Sequence, residues 1–215
     1  AEIEFDKAFE INATGAKNLA IVCSEQGVVL IHISTDFVFD GQKTEPYNES
    51  DTANPINVYG ASKLKGEVEI KQTLETYFII RTSWLYSEHG NNFMKTMLKL
   101  AETRDEISVV SDQIGAPTYG RDLSKFLIEI ITSSSNNFGV YHYSNEGQTS
   151  WCGFAKAILE PYEHATSVIP ILSSQHPRAA IRPKYSVLNI EKAKEVFNIQ
   201  PPNWEISLKK VIKNI

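Results

Sequence analysis

The run Val28-Val29-Leu30-Ile31-His32-Ile33-Ser34 is short, rich in β-branched residues and nearly free of polar alternation. That is the pattern of a strand covered on both faces. A second run, Tyr77-Phe78-Ile79-Ile80-Arg81-Thr82, follows it, and the stretch from Val58 to Leu74 between them has helical spacing. Strand, helix, strand in succession calls for a parallel pair joined by a right-handed crossover. An apolar helical stretch from Phe5 to about Gln26, stopped at Gly27, precedes them. Downstream, helices are expected over Asn92 to Arg104, Arg121 to Ile131 and Ser150 to about Leu159, with strands at Ile107–Val110, Gly139–Tyr143 and Val168–Leu172. Two short C-terminal helices end the chain. The fold class is therefore α/β, a parallel sheet with flanking helices followed by a more mixed, smaller C-terminal lobe.

Composition narrows the function. With 21 Lys+Arg against 26 Asp+Glu the net charge is -5, and no basic block occurs to neutralise a phosphate backbone, so a nucleic-acid partner is not expected. No apolar run approaches the roughly 20 residues of a membrane-spanning helix, so no membrane partner is expected either. The two cysteines, Cys23 and Cys152, stand far apart and read as reduced thiols of a cytoplasmic protein. His32, His89, His142, His164 and His176 lack metal-ligand spacing and read as structural or exposed, His32 as a packed core residue.

The chemistry concentrates around residues 34–63. Tyr59-Gly60-Ala61-Ser62-Lys63 sets a phenol and an ammonium group four positions apart at the start of a predicted helix, one turn apart on one face. A phenol near pKa 10 is a poor acid or base at neutral pH, and a neighbouring cation is expected to lower that value toward the useful range. Ser34-Thr35-Asp36 stands where the first strand ends, on the side of a parallel sheet where ligands bind. A polar loop from Asp36 to Asn57, too long to be a mere connector, joins the two.

These segments resemble the extended short-chain dehydrogenase/reductases, and within them the dTDP-4-dehydrorhamnose reductase family. The resemblance is carried by Ser34-Thr35-Asp36-Phe37-Val38-Phe39-Asp40-Gly41, by Pro55 to Glu67 including Tyr59 and Lys63, and by Arg81-Thr82-Ser83-Trp84-Leu85-Tyr86. It continues through Asn91-Asn92-Phe93, Asp112-Gln113-Ile114-Gly115-Ala116-Pro117-Thr118-Tyr119 and Arg182-Pro183. It implies a partial Rossmann-like sheet over residues 1–135 carrying the catalytic residues, and a mainly substrate-binding lobe over 136–215 that also receives segments from about 84–118.

The resemblance further implies a dTDP-sugar substrate and NADPH, or NADH, as hydride donor. Tyr59 would protonate the C4 oxygen, Lys63 would hold the cofactor ribose and tune the phenol, and Thr35 would bond the sugar oxygen. Ser34 is expected at the cofactor. Asp36, Trp84, Asn92, Gln113, Thr118 and Arg182 are expected at the substrate, with Arg182 on the diphosphate. In some members Asp36 would help bind Mg²⁺. Phe37 departs from the tyrosine frequent in relatives. A second departure is larger: none of the eleven glycines forms the Gly-x-Gly-x-x-Gly turn that cradles a dinucleotide pyrophosphate. The sequence opens at Ala1 and its only methionines are Met94 and Met97. The expectation is a chain without the family's N-terminal half, binding NADPH poorly by itself and exposing a sheet edge on which a homodimer could form. Another nucleotide-sugar epimerase, dehydratase or reductase of this family, or a non-catalytic regulatory relative, remain the alternatives.

Overall fold

The computed structural model describes residues 1–162 and 166–213; His164 lies outside them. Helix α1 (Phe5–Phe9) passes through a π-helical turn at Glu10–Thr14 into α2 (Gly15–Gln26), and β1 (Leu30–Thr35), α3 (Val58–Thr73) and β2 (Tyr77–Thr82) follow. Next come β3 (Leu85–Tyr86), α4 (Phe93–Ala101), β4 (Glu106–Val110), β5 (Ile114–Gly115), β6 (Thr118–Tyr119) and α5 (Gly120–Ser133). The last are β7 (Gly139–His142), β8 (Thr149–Ser150), α6 (Trp151–Leu159), β9 (Ser167–Ile171), α7 (Glu191–Phe197) and α8 (Trp204–Ile212). No described helix is long and apolar enough to cross a membrane.

The main sheet is parallel, in the order β1-β2-β7, with Thr35 opposite Thr82 at one end of the first pair. Central β2 shows why its residues alternate so little in polarity. Phe78 and Ile80 face a core with Leu123, Phe126 and Ile130 of α5 and Phe197 of α7, whereas Ile79 faces Ala16, Ala20 and Ile70 of α2 and α3. Both faces are thus dry, and each fully buried branched side chain contributes about 2 kcal/mol.

Edge strand β1 departs from the expected pattern. It starts at Leu30, not Val28, and its first four residues are only half-buried, because among the described strands it pairs with β2 alone. Strand β7 likewise belongs to the main sheet, and Ala193 and Phe197 of α7 pack on that sheet's core. Within the stretch expected to form mainly the second lobe, residues 139–142 and α7 thus pack with the first unit. A second core, including Met94, Met97, Ile107, Phe154, Ile158, Trp204 and Leu208, unites α4, β4, α6 and α8, and the parallel pair β4–β9 edges it.

Two glycines set how closely α3 approaches its neighbours. A Cβ at Gly60 would collide with the Phe37 carbonyl, and one at Gly66 with the Asn12 carbonyl in the π-helical turn. These obstacles are backbone and cannot swing aside, so glycine lets the helix bearing Tyr59 and Lys63 lie tight against the turn that follows β1 and the π-helical turn that precedes α2.

Candidate active site

Asn57 starts α3 by accepting from the Gly60 N–H (2.7 Å) while its amide donates to the Ile181 carbonyl (2.8 Å), which ties the helix to a late segment of the chain. Where β1 and β2 end, Thr35, Asp36, Tyr59, Lys63, Trp84 and Arg182 line one open cleft of about 480 Å³. The phenol and ammonium group thus share a wall with the threonine hydroxyl at the carboxyl edge of the sheet. Phe37 lies edge-on to Tyr59, ring centroids 6.1 Å apart.

The electrostatics differ from expectation. Burial pushes the Tyr59 phenol up from its ordinary value and the Asp36 charge adds to this, a hydrogen bond with Thr35 opposing them. Lys63 does not supply the expected lowering. Its Nζ turns to the backbone of β1, donating to the Ile33 carbonyl at 2.6 Å, and lies 3.2 Å from His32 Nε2. Burial also draws the lysine itself down, against the attraction of Glu67. His32, held at about 4 first by burial and then by Lys63, is neutral and can accept from the lysine. It is therefore a partner of the site and not merely a packed core residue.

Asp36 is buried, and burial lifts its carboxyl from 3.8 to about 6 against bonds from Ser186 and Thr35. Folded Asp36 binds its proton more tightly than the unfolded chain does. Its stabilising effect is complete below about pH 4 and is lost as pH rises through about 6. Asp36→Asn is expected to raise stability at pH 7.5 by about 3 kcal/mol and to change little at pH 4, measured by urea unfolding at both. Among the described residues no three His, Cys, Asp or Glu side chains converge as a metal site. Asp36 is the one carboxylate lining the cleft, so a Mg²⁺ held there would take its other oxygens from water or a substrate phosphate.

Beyond the cleft, Gln113, Arg104, Arg178, His176 and Arg182 line a second cavity of about 490 Å³. Trp151 and Arg182 belong to both cavities. Trp151 stacks on Trp84 at 3.6 Å and 8°, and the Arg182 guanidinium lies 5.9 Å from the Trp151 ring centre. Trp84 itself has φ +44, an uncommon backbone state for a bulky residue, and Gly115 lies directly against its indole with no room for a Cβ.

Three expected contacts fall elsewhere. Asn92 caps α4, accepting from Lys95 N–H and donating to the Ser87 carbonyl, so its amide is committed to local backbone. Thr118 is fully buried where β6 pairs with β3, away from both cavities. Ser34 forms part of the cleft wall, but its hydroxyl proton is committed to Glu67 at 2.6 Å. Sequence reasoning passed over Trp151, Arg178, Arg104 and the Glu67–Arg81 pair. Only Glu67 carried a local signal, standing one helical turn beyond Lys63.

Residues 1–215 match the family described as RmlD substrate binding domain. The chain is 42% identical to the dTDP-4-dehydrorhamnose reductase of Sinorhizobium fredii over 99% of its own length and 75% of that protein. It is 36% identical to the Escherichia coli protein of the same name, over 100% of the chain and 75% of the relative. A crystal structure of the dTDP-4-dehydrorhamnose reductase from Bacillus anthracis in complex with NADP superposes with a TM-score of 0.96 at 44% identity, covering 100% of this chain and 76% of that one. A site built on Tyr59 and Lys63 in this sheet, matched over the whole chain to these proteins, makes the chain a member of the RmlD family of dTDP-4-dehydrorhamnose reductases.

Proposed function

We propose that this chain supplies the acid–base and substrate-binding machinery for reducing dTDP-4-dehydro-L-rhamnose to dTDP-L-rhamnose with NADPH. The observation that carries this reading is the convergence of Thr35, Tyr59 and Lys63 on one cleft wall beside Trp84 and Arg182. NADPH is preferred to NADH because the Bacillus anthracis neighbour was solved with NADP.

The residues fit the reactive end of that cofactor. An ammonium group has three N–H donors, and the Ile33 carbonyl and His32 account for two on Lys63, which leaves one for a ribose hydroxyl. When bound, the cofactor supplies the hydride to C4 of the sugar. The Thr35 hydroxyl, which donates to Asp36 at 3.0 Å, turns its one proton toward the C4 oxygen when the sugar is bound and holds that oxygen beside Tyr59. As negative charge builds on that oxygen the Tyr59 phenol gives up its proton to it. Trp84 offers an apolar wall to the sugar ring. Arg182, at the junction of the cavities, suits the diphosphate, and the arginine-lined second cavity suits the rest of the nucleotide.

The test is NADPH oxidation by the protein bearing this chain, with dTDP-4-dehydro-L-rhamnose as acceptor and the product identified by NMR. Substrate-dependent oxidation that yields dTDP-L-rhamnose is expected. An epimerised or dehydrated product assigns the site to a sister reaction, and no turnover with any 4-keto nucleotide sugar favours a non-catalytic relative.

A further inference from the structure

Behind the cleft lies a charged group that the proposed chemistry does not use. Glu67 is fully buried in α3, at the third step of the stripe Tyr59, Lys63, Glu67. Its carboxylate receives a two-pronged bond from Arg81 of β2, Nε to Oε1 at 2.9 Å and Nη2 to Oε2 at 2.7 Å, and a third from the Ser34 hydroxyl of β1. Lys71, one turn further on, brings its Nζ to 3.8 Å.

Three successive turns of α3 thus grip one end of β1. Tyr59 meets Thr35, Lys63 bonds the Ile33 carbonyl, and Glu67 bonds the residue between them, Ser34. Arg81 sits opposite Ser34 in the β1–β2 register, so the same carboxylate fixes both strands at the level of the site. A buried ion pair is seldom worth more to stability than apolar residues of the same size. What it adds is direction, because a planar fork on a carboxylate admits one geometry.

Resting on the reductase reading above, we propose that Glu67 is a positioning residue. Through Ser34 and Arg81 it holds α3 against β1, so that the Tyr59 phenol and Lys63 ammonium stay in register with the Thr35 hydroxyl. It touches neither substrate nor cofactor.

The experiment separates this role from simple stability. Glu67→Gln/Arg81→Met removes both charges together, and is expected to keep the urea midpoint close to wild type. Its kcat is expected to fall about 100-fold, the scale of a displacement of about 1 Å in the reacting groups, with KM for the dTDP-sugar changed less than about threefold. A folded double variant with wild-type kcat overturns the proposal, as does a loss confined to KM. Should the double variant not fold, Ser34→Ala removes the strand contact alone. It is then expected to lower kcat about tenfold at unchanged KM, and wild-type kcat again overturns the proposal. Absent turnover in the unsubstituted protein speaks against the reductase reading instead.

Discussion

Tyr59→Phe is expected to lower kcat by about three orders of magnitude while leaving KM for the dTDP-sugar near its starting value. Positioned proton transfer contributes about 10²- to 10⁴-fold, and the substitution removes the phenolic hydroxyl with its Thr35 bond while leaving the other cleft side chains in place. Tyr59 is 40% exposed and its ring rests edge-on to Phe37, so a phenyl ring fits the same place and thermal unfolding should be little altered. The raised phenol also reshapes the expected pH profile. In the reductive direction the group acts as an acid and must be protonated to begin with. Burial and Asp36 hold it above its ordinary value near 10, so the acid form is complete at neutral pH and activity should decline only on the alkaline side. Steady-state kinetics of both proteins from pH 6 to 10 provide the check. A loss under tenfold would mean that the proton reaches the sugar by another route.

Arg81→Met is expected to cost about 4 kcal/mol at pH 7, because removing one partner leaves a carboxylate buried without its counter-ion. The pH dependence should reverse as well. In the native chain Arg81 and Ser34 hold the Glu67 carboxyl below its ordinary value despite burial, so its contribution is present at neutral pH and is lost as pH falls through the folded pKa. Without Arg81 burial prevails and the carboxyl rises above its unfolded value. The variant should then gain stability on acidification, and the gap between the proteins should narrow from pH 7 to pH 4.5. Urea unfolding at the two values reads this directly, and a gap constant with pH would show that Arg81 acts through packing.

What the sequence revealed followed the range of the forces involved. Tyr59 and Lys63 could be placed on one face because four-residue spacing on a helix is local geometry, and the strand ends at Thr35 and Thr82 followed from runs covered on both sides. The same arithmetic could have reached Glu67, but its partner Arg81 arrives only when β2 packs beside β1. The direction of the Tyr59 shift was misjudged because burial and the posture of Lys63 are tertiary properties. Asn92 was legible as a helix cap as readily as a substrate contact, and the cap is what it forms; Thr118 was assigned by motif, while the buried strand pair around it rests on two-residue strands too short to leave a periodic trace. Trp151 sits opposite Trp84 because separate segments of the lobe fold together, and neither indole announces the other in the sequence.

The left-handed backbone at Trp84 bears on any attempt to change acceptor range. A saturation library at this position selects for two properties at once, the shape of the new side chain and its tolerance of positive φ. Valine, isoleucine and threonine would be penalised for their branched Cβ before any sugar was offered, whereas asparagine or glycine could take the turn but would leave the Trp151 indole uncovered. Hits would thus be sorted by local folding cost as much as by recognition, and diversity introduced at Trp151, which sits in a regular helix, would sample new pocket shapes with less of that bias.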